Sequence, residues 1–193
     1  FGIFLPVSIR SFGDWKPPLQ TYLMIPTIAI FGLNNWGVRL PSAILGTLTI
    51  LVVYLLAQEL LKLSTLVIPS TVEGSSKFGR FGMTRMHLQL LSALFIALSP
   101  WHILQSRSAM LVAVALFFLS LGLLSFFKGL AKPKWWWLST ISFTLTIYSY
   151  YGLRLITPLV LLVLGCWFKQ QIWKQKKIVA SNILLIFILL LPL

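Results

Sequence analysis

Residues 40–61 read LPSAILGTLTILVVYLLAQELL, and Glu59 is the one charged group among them. A helix rises about 1.5 Å per residue, so this stretch reaches about 33 Å, enough to cross a hydrocarbon core about 30 Å thick. Further apolar runs at 88–99, 109–127, 135–151, 155–168 and 178–193 are separated by short basic interruptions. The run at 88–99 ends at Pro100 and needs neighbouring residues to reach spanning length. Residues 20–31 are apolar but too short for a crossing, and suit a helix lying in the interface. Pro69, Gly74, Ser75, Ser76, Gly79 and Gly82 mark 62–87 as a loop. Trp135, Trp136 and Trp137 open the run at 135–151 as an aromatic belt does at headgroup level.

Composition agrees with that reading. Hydrophobic residues make up 58% and charged ones 10%, with mean hydropathy +0.92, outside the usage of soluble domains. The expected fold is all-α, a polytopic transmembrane helix bundle; no ten-residue alternating segments recur as an outer-membrane barrel requires. The net charge of +13 is scattered between apolar runs and leaves no basic domain to form a nucleic-acid groove. Cys166 is alone in an apolar run, which excludes an intramolecular disulfide or a thiolate metal cluster and points to packing. The first ten residues lack the basic-then-apolar order of a signal peptide, and LLIFILLLPL stops within a span, so the chain is expected to be an internal fragment.

Lys and Arg are retained on the cytoplasmic side, so the loops assign the faces. Eleven of sixteen bases fall in alternate loops: Lys62, Lys77, Arg80 and Arg85 in 62–87, Lys128, Lys132 and Lys134 in 128–134, and Lys169, Lys174, Lys176 and Lys177 in 169–177. Orientation and attraction to anionic lipid account for these. The expected organisation is one partial membrane domain over 1–193: an outer segment 1–39 with its interfacial helix, then transmembrane helices over 40–193 joined by those three cytoplasmic loops. The other five bases, Arg10, Lys16, Arg39, Arg107 and Arg154, face outward, each beside aromatic or proline residues at the end of a run.

Basic groups at that depth cost up to about 3 kcal/mol if unpaired. The chain has three acids, Asp14, Glu59 and Glu73, and on this topology Asp14 alone shares their face. A phosphate at the outer membrane boundary, such as that of a polyprenyl-phosphate lipid, matches the fork of Arg donors and the compact charge of Lys. Snorkelling to headgroups is the plainer alternative for any single base. Pro17 and Pro18 in SFGDWKPPLQ remove two backbone donors and hold the residues before them extended, a stiff strut that aims Lys16. Pro18 can then open the helix that continues LQTYLMIPTIAIF.

Three stretches, DWKPPLQTYLMIPTIAIFGLNNWGVRLPSAILGTLTILVVYLLAQEL, SALFIALSPWHILQSRSA and YSYYGLRLITPLVLLVL, resemble the GT-C membrane glycosyltransferases that include protein O-mannosyltransferases and lipid A aminoarabinose transferases. The resemblance runs from about Phe1 to Leu164, and its strongest part is KPPL, FGLN with VRLPSA, and SPWH with SR, in that order. It implies an integral protein of the cell (inner) membrane with an extracytoplasmic site. There a hexosyl or pentosyl group would pass from a polyprenyl-phosphate-linked donor to a protein, lipid or glycan acceptor. Lys16 is similar to the family residue that holds the donor phosphate, with Arg107 and then Arg154 as further phosphate ligands. The resemblance implies an acid in the first outer loop as base, expected upstream of Phe1. Asp14 is a lesser candidate for a catalytic role, against supporting Lys16 or serving the dipole of the following helix. Relatives carry an acid shortly after the second-loop Ser-Arg, whereas SRSAMLVAVAL has none, which puts an acceptor or metal role of that loop in doubt. A divalent cation stays open, and no other cofactor or metal site is implied.

Transfer with inversion needs a base at the acceptor hydroxyl and charge stabilisation on the leaving phosphate. His102 is open between base, metal ligand and a hydrogen bond at headgroup level; the last is favoured, since no other outward His or nearby carboxylate completes a site. Tyr148, Tyr150 and Tyr151 read as belt or core residues, with the lining of a sugar or lipid pocket as the sharper option. Trp15 and Trp101 carry the same two readings, stacking on a sugar being the sharper. Two other classes stay in play: a transporter or flippase for a lipid-linked anion, which would need discontinuous helices in repeated halves, and a non-catalytic assembly subunit.

Overall fold

The computed structural model describes residues 9–11, 14–67, 85–173 and 175–190. A short antiparallel ribbon, β1 (Ile9–Ser11) and β2 (Asp14–Lys16), precedes the helices and pairs Ile9 with Lys16, Arg10 with Trp15 and Ser11 with Asp14. The extended strut expected ahead of the prolines is therefore one strand of a ribbon. Helix α1 (Leu19–Phe31) follows, with Pro18 at its N-cap accepting the Tyr22 N–H at 3.1 Å. Then come α2 (Asn35–Val67), α3 (Arg85–Leu98), α4 (Pro100–Arg107), α5 (Leu111–Ala131), α6 (Trp135–Ser149), α7 (Leu153–Trp167), α8 (Lys169–Trp173) and α9 (Lys176–Leu190). The described chain is an all-α bundle apart from the ribbon.

Several boundaries are written in the chemistry of single residues. Gly32 ends α1 at φ 76° and donates to the Ile28 carbonyl at 2.8 Å, a left-handed cap that glycine adopts without strain. Asn34 caps the next helix, its Oδ1 accepting the Gly37 N–H at 2.9 Å. Helix α2 consequently starts at Asn35, earlier than the apolar run that announces it, and continues to Val67. Lys62 thus lies on α2 and Arg85 on α3, while Lys77 and Arg80 lie outside the described residues. Pro100 excludes Ser99 from the helix before it, so α3 stops at Leu98 and α4 leaves at 56°.

Among the described residues two helices are long and apolar enough to cross a membrane, the stretch Asn35–Leu63 and α5, and α3 with α4 makes a third if the bent pair is one span. The runs at 135–151 and 155–168, expected as crossings, form α6 and α7 of 15 residues each, about 22 Å of helix and short of the hydrocarbon thickness.

The interior is small and hydroxyl-rich. Helices α5 and α6 make the most extensive pairing, and two contacts fix it as antiparallel: Gly129 lies against Trp136, and Gly122 lies against Phe143. Ser139 Oγ donates to the Gly122 carbonyl at 3.0 Å. Ser120, Thr144, Thr146 and Ser149 are buried and return their hydroxyls to carbonyls of their own helices. Large side chains such as Leu155, Leu159, Leu162, Phe95 and Leu184 point outward. Small residues inside with large apolar residues outside is the arrangement of helices in lipid, where close backbone approach replaces the hydrophobic drive. Together with the spanning helices it makes the chain an integral membrane protein.

Candidate functional site

Helix α2 presents a stripe of small side chains to its neighbours: Ser42, Gly46 and Thr49 are all buried. They follow one another at helical spacing and continue the line from Arg39 at the outer end. Helix α4 lies antiparallel on this stripe. His102 is buried, and its Nε2 donates to the Gly46 carbonyl at 3.0 Å, while Ser106, one turn on, packs over Gly46 so closely that no Cβ could stand there. A residue at i, i+4 from His102 faces α2, so the next row of α4, Ile103 and Arg107, opens beside it.

That row meets the start of α2 in adjoining hollows. Arg39, Pro100, Ile103, Leu104, Arg107 and Ser108 line one of about 490 Å³; Trp36, Leu40, Ile44, Arg39 and Arg107 line another of about 480 Å³. A third brings Leu33, Asn34 and Asn35, the capped start of α2, against Ser108 and Ala109. Arg39 borders all three. The cleft has two guanidinium groups from facing helices, apolar walls, and a helix N-terminus whose dipole also favours an anion. Glu59 pairs with Lys62 at the far end of α2. The chemistry such a cleft performs best is to hold a phosphate while apolar chain lies along its wall.

Gln20 joins the lysine strut to this end of the molecule. It is buried, and its Nε2 donates to the carbonyl of Ala109, a non-glycine residue at φ 55° in the α4 to α5 corner. Gln20 at the start of α1 bonds to Ala109, Leu33 just past its end lines a hollow with Ala109, and α1 packs chiefly on α2. Pro17 is fully buried, and Lys16 at the end of β2 is exposed.

The residues singled out from sequence do not all gather here. Arg107 does, and Lys16 lies at the same end. Arg154 lines none of the three hollows; its guanidinium sits 4.3 Å from the centroid of the Tyr151 ring, with Nε buried and without a partner. Tyr148 donates its hydroxyl to the Leu189 carbonyl at 2.7 Å and ties α6 to α9. Tyr151 is exposed beside Arg154, and Trp101 is exposed on α4, outside the linings of the cleft. His102 is bonded inside the bundle, where a headgroup does not reach. The side chains of Asp14 and Trp15 lie outside the described residues. Arg39 is the residue that sequence counts among the outward bases without selecting it as a ligand. The signal was present in VRLPSA, but its partner on α4 lies 68 positions away.

No curated protein and no solved structure matches the chain. A family model does, over residues 15–104, a little under half of the length. The matched segment runs from the strand that bears Lys16, through the Gly32 and Asn34 caps and the Gly46 stripe, to the middle of α4, so it includes Arg39 and stops short of Arg107. The family described is dolichyl-phosphate-mannose-protein mannosyltransferase, membrane glycosyltransferases of the GT-C type, and over residues 15–104 the chain is similar to it.

Proposed function

We propose that the chain takes a sugar from a polyprenyl-phosphate-linked donor and passes it to a protein, lipid or glycan acceptor. We assign the reaction to the extracytoplasmic face of the cell membrane, because the end of the bundle that carries Arg39 and Arg107 holds the minority of the bases. The observation that carries the reading is the facing of Arg39 and Arg107 across an apolar cleft. Their charges meet the phosphate, and Trp36, Leu40 and Ile44 provide a wall for polyprenyl chain.

In the transfer, the acceptor oxygen attacks the anomeric carbon as the bond from that carbon to the phosphate oxygen breaks. The bonding electrons go to the phosphate, where Arg39, Arg107 and Lys16 stabilise the added charge. The acceptor proton goes to a carboxylate, for which Asp14 is this chain's candidate on the same face. Arg154, stacked on Tyr151, is assigned to the sugar or acceptor side rather than to the phosphate. The test is transfer by the full-length protein from a polyprenyl-phosphate sugar. Lys16→Ala is expected to abolish transfer with normal membrane expression, and unchanged turnover would remove Lys16 from the phosphate.

A second reading, movement of a lipid-linked anion without transfer, draws on the 56° break between α3 and α4. Reconstituted vesicles distinguish the two: transfer yields a glycosylated acceptor and free polyprenyl phosphate, whereas transport moves the intact lipid between leaflets.

A further inference from the structure

The arginine pair is set across two helices, α2 and α4, which approach each other closely at Gly46. Helix α4 has eight residues and follows a break, so its own backbone does not fix its register on α2. Gly46 and His102 do. The Gly46 carbonyl accepts from His102 Nε2 at 3.0 Å, which requires the proton on Nε2; Nδ1 is buried and has no partner. A Cβ on Gly46 would stand 2.5 Å from Ser106 Cβ, closer than any ordinary packing contact. Arg39 lies two helical turns before Gly46, and Arg107 lies directly after Ser106. A displacement of α4 at Gly46 therefore carries Arg107 away from Arg39.

We propose that His102 is a positioning residue, and that its bond to the bare backbone at Gly46 sets the separation of the two arginines and with it the affinity for the donor phosphate. This rests on the phosphate reading of the cleft. His102 touches no substrate in this scheme. Its loss acts through Arg107.

The chemistry of the bond supplies the test. Gln places an amide nitrogen where His carries Nε2, Asn places one where His carries Nδ1, and Leu keeps bulk without a donor. In the full-length protein, polyprenyl phosphate binding is expected to weaken about tenfold in His102→Leu and in His102→Asn, and to return to within about threefold of wild type in His102→Gln. The Michaelis constant for the donor should rise by the same factor with kcat little changed, a split that a general loss of folded protein does not produce. Gly46→Ala should weaken binding about tenfold or more, and Ser106→Gly in the same chain should restore much of it.

A second readout is independent of the donor. With Cys166→Ala as background, Arg39→Cys and Arg107→Cys are joined by a short bifunctional thiol reagent. Cross-linking should persist with His102→Gln and fall with His102→Leu. Equal cross-linking and equal binding in His102→Leu would overturn the positioning role. If no variant, wild type included, binds polyprenyl phosphate while cross-linking still follows the His102 series, the positioning of the pair stands and the phosphate reading falls.

Discussion

The α5 to α6 hairpin and the α2 to α4 corner are built from the same device, a glycine over which a neighbour packs, and reach opposite ends. In the hairpin, Gly122 and Gly129 let Phe143 and Trp136 close the space, and Phe126 stacks on Trp136 with ring centroids 5.8 Å apart. At the corner, Gly46 admits Ser106 and His102, but α4 is short and diverges, so a cleft remains beside the contact with two arginines on its rim. Close packing makes a scaffold when it runs the length of two helices, and a site when it stops after one turn.

That contrast can be broken at either region. The largest effect is expected at Gly129, where an added Cβ would stand 1.7 Å from Trp136 Cδ1. Gly129→Ala should destabilise the protein by about 3 kcal/mol, as forced overpacking does, with a clear drop in unfolding temperature in detergent. Arg39→Ala should show the reverse pattern: polyprenyl phosphate affinity falls by the equivalent of about 2 to 3 kcal/mol, as for a lost charged hydrogen bond, while the unfolding temperature stays within a degree or two.

Smaller effects sharpen the scaffold side. Ala109 holds φ 55°, a conformation that costs an L-residue about 1 kcal/mol. Ala109→Gly should therefore stabilise the corner or leave it unchanged, measured as an equal or higher unfolding temperature. Thr140 donates to Asn182 Oδ1 at 2.9 Å between α6 and α9. Thr140→Val should cost about 0.6 kcal/mol, the average for a hydrogen bond between membrane helices, with no change in donor affinity.

The sequence made some of this legible and hid the rest for identifiable reasons. The long runs announce α2 and α5 because spanning length is a local property of composition. Pro100 announces the end of α3, since the restriction on the residue before proline is local too. The early start of α2 was hidden: Gly32 and Asn34 set it, although the apolar run begins later. The tryptophan belt makes residues 135–151 look like a complete crossing, but the helix that forms has 15 residues and ends at Ser149. Whether a histidine in SPWHI meets headgroups or a helix backbone depends on Gly46, 56 residues away, and composition carries no trace of that contact. The pairing of Arg39 with Arg107 is of the same kind, and so is the tie from Gln20 to Ala109.

The central claim is that the arginine end, rather than basic charge in general, receives the donor phosphate. It is tested most directly by the affinity of the full-length protein for polyprenyl phosphate, measured at fixed ionic strength in three forms: wild type, Arg39→Ala with Arg107→Ala, and Lys132→Ala with Lys134→Ala at the opposite end. Loss of about a thousandfold or more in the arginine variant, with the lysine variant at wild-type affinity, is the predicted result. Equal affinity in all three, or an equal loss in both variants, would contradict it.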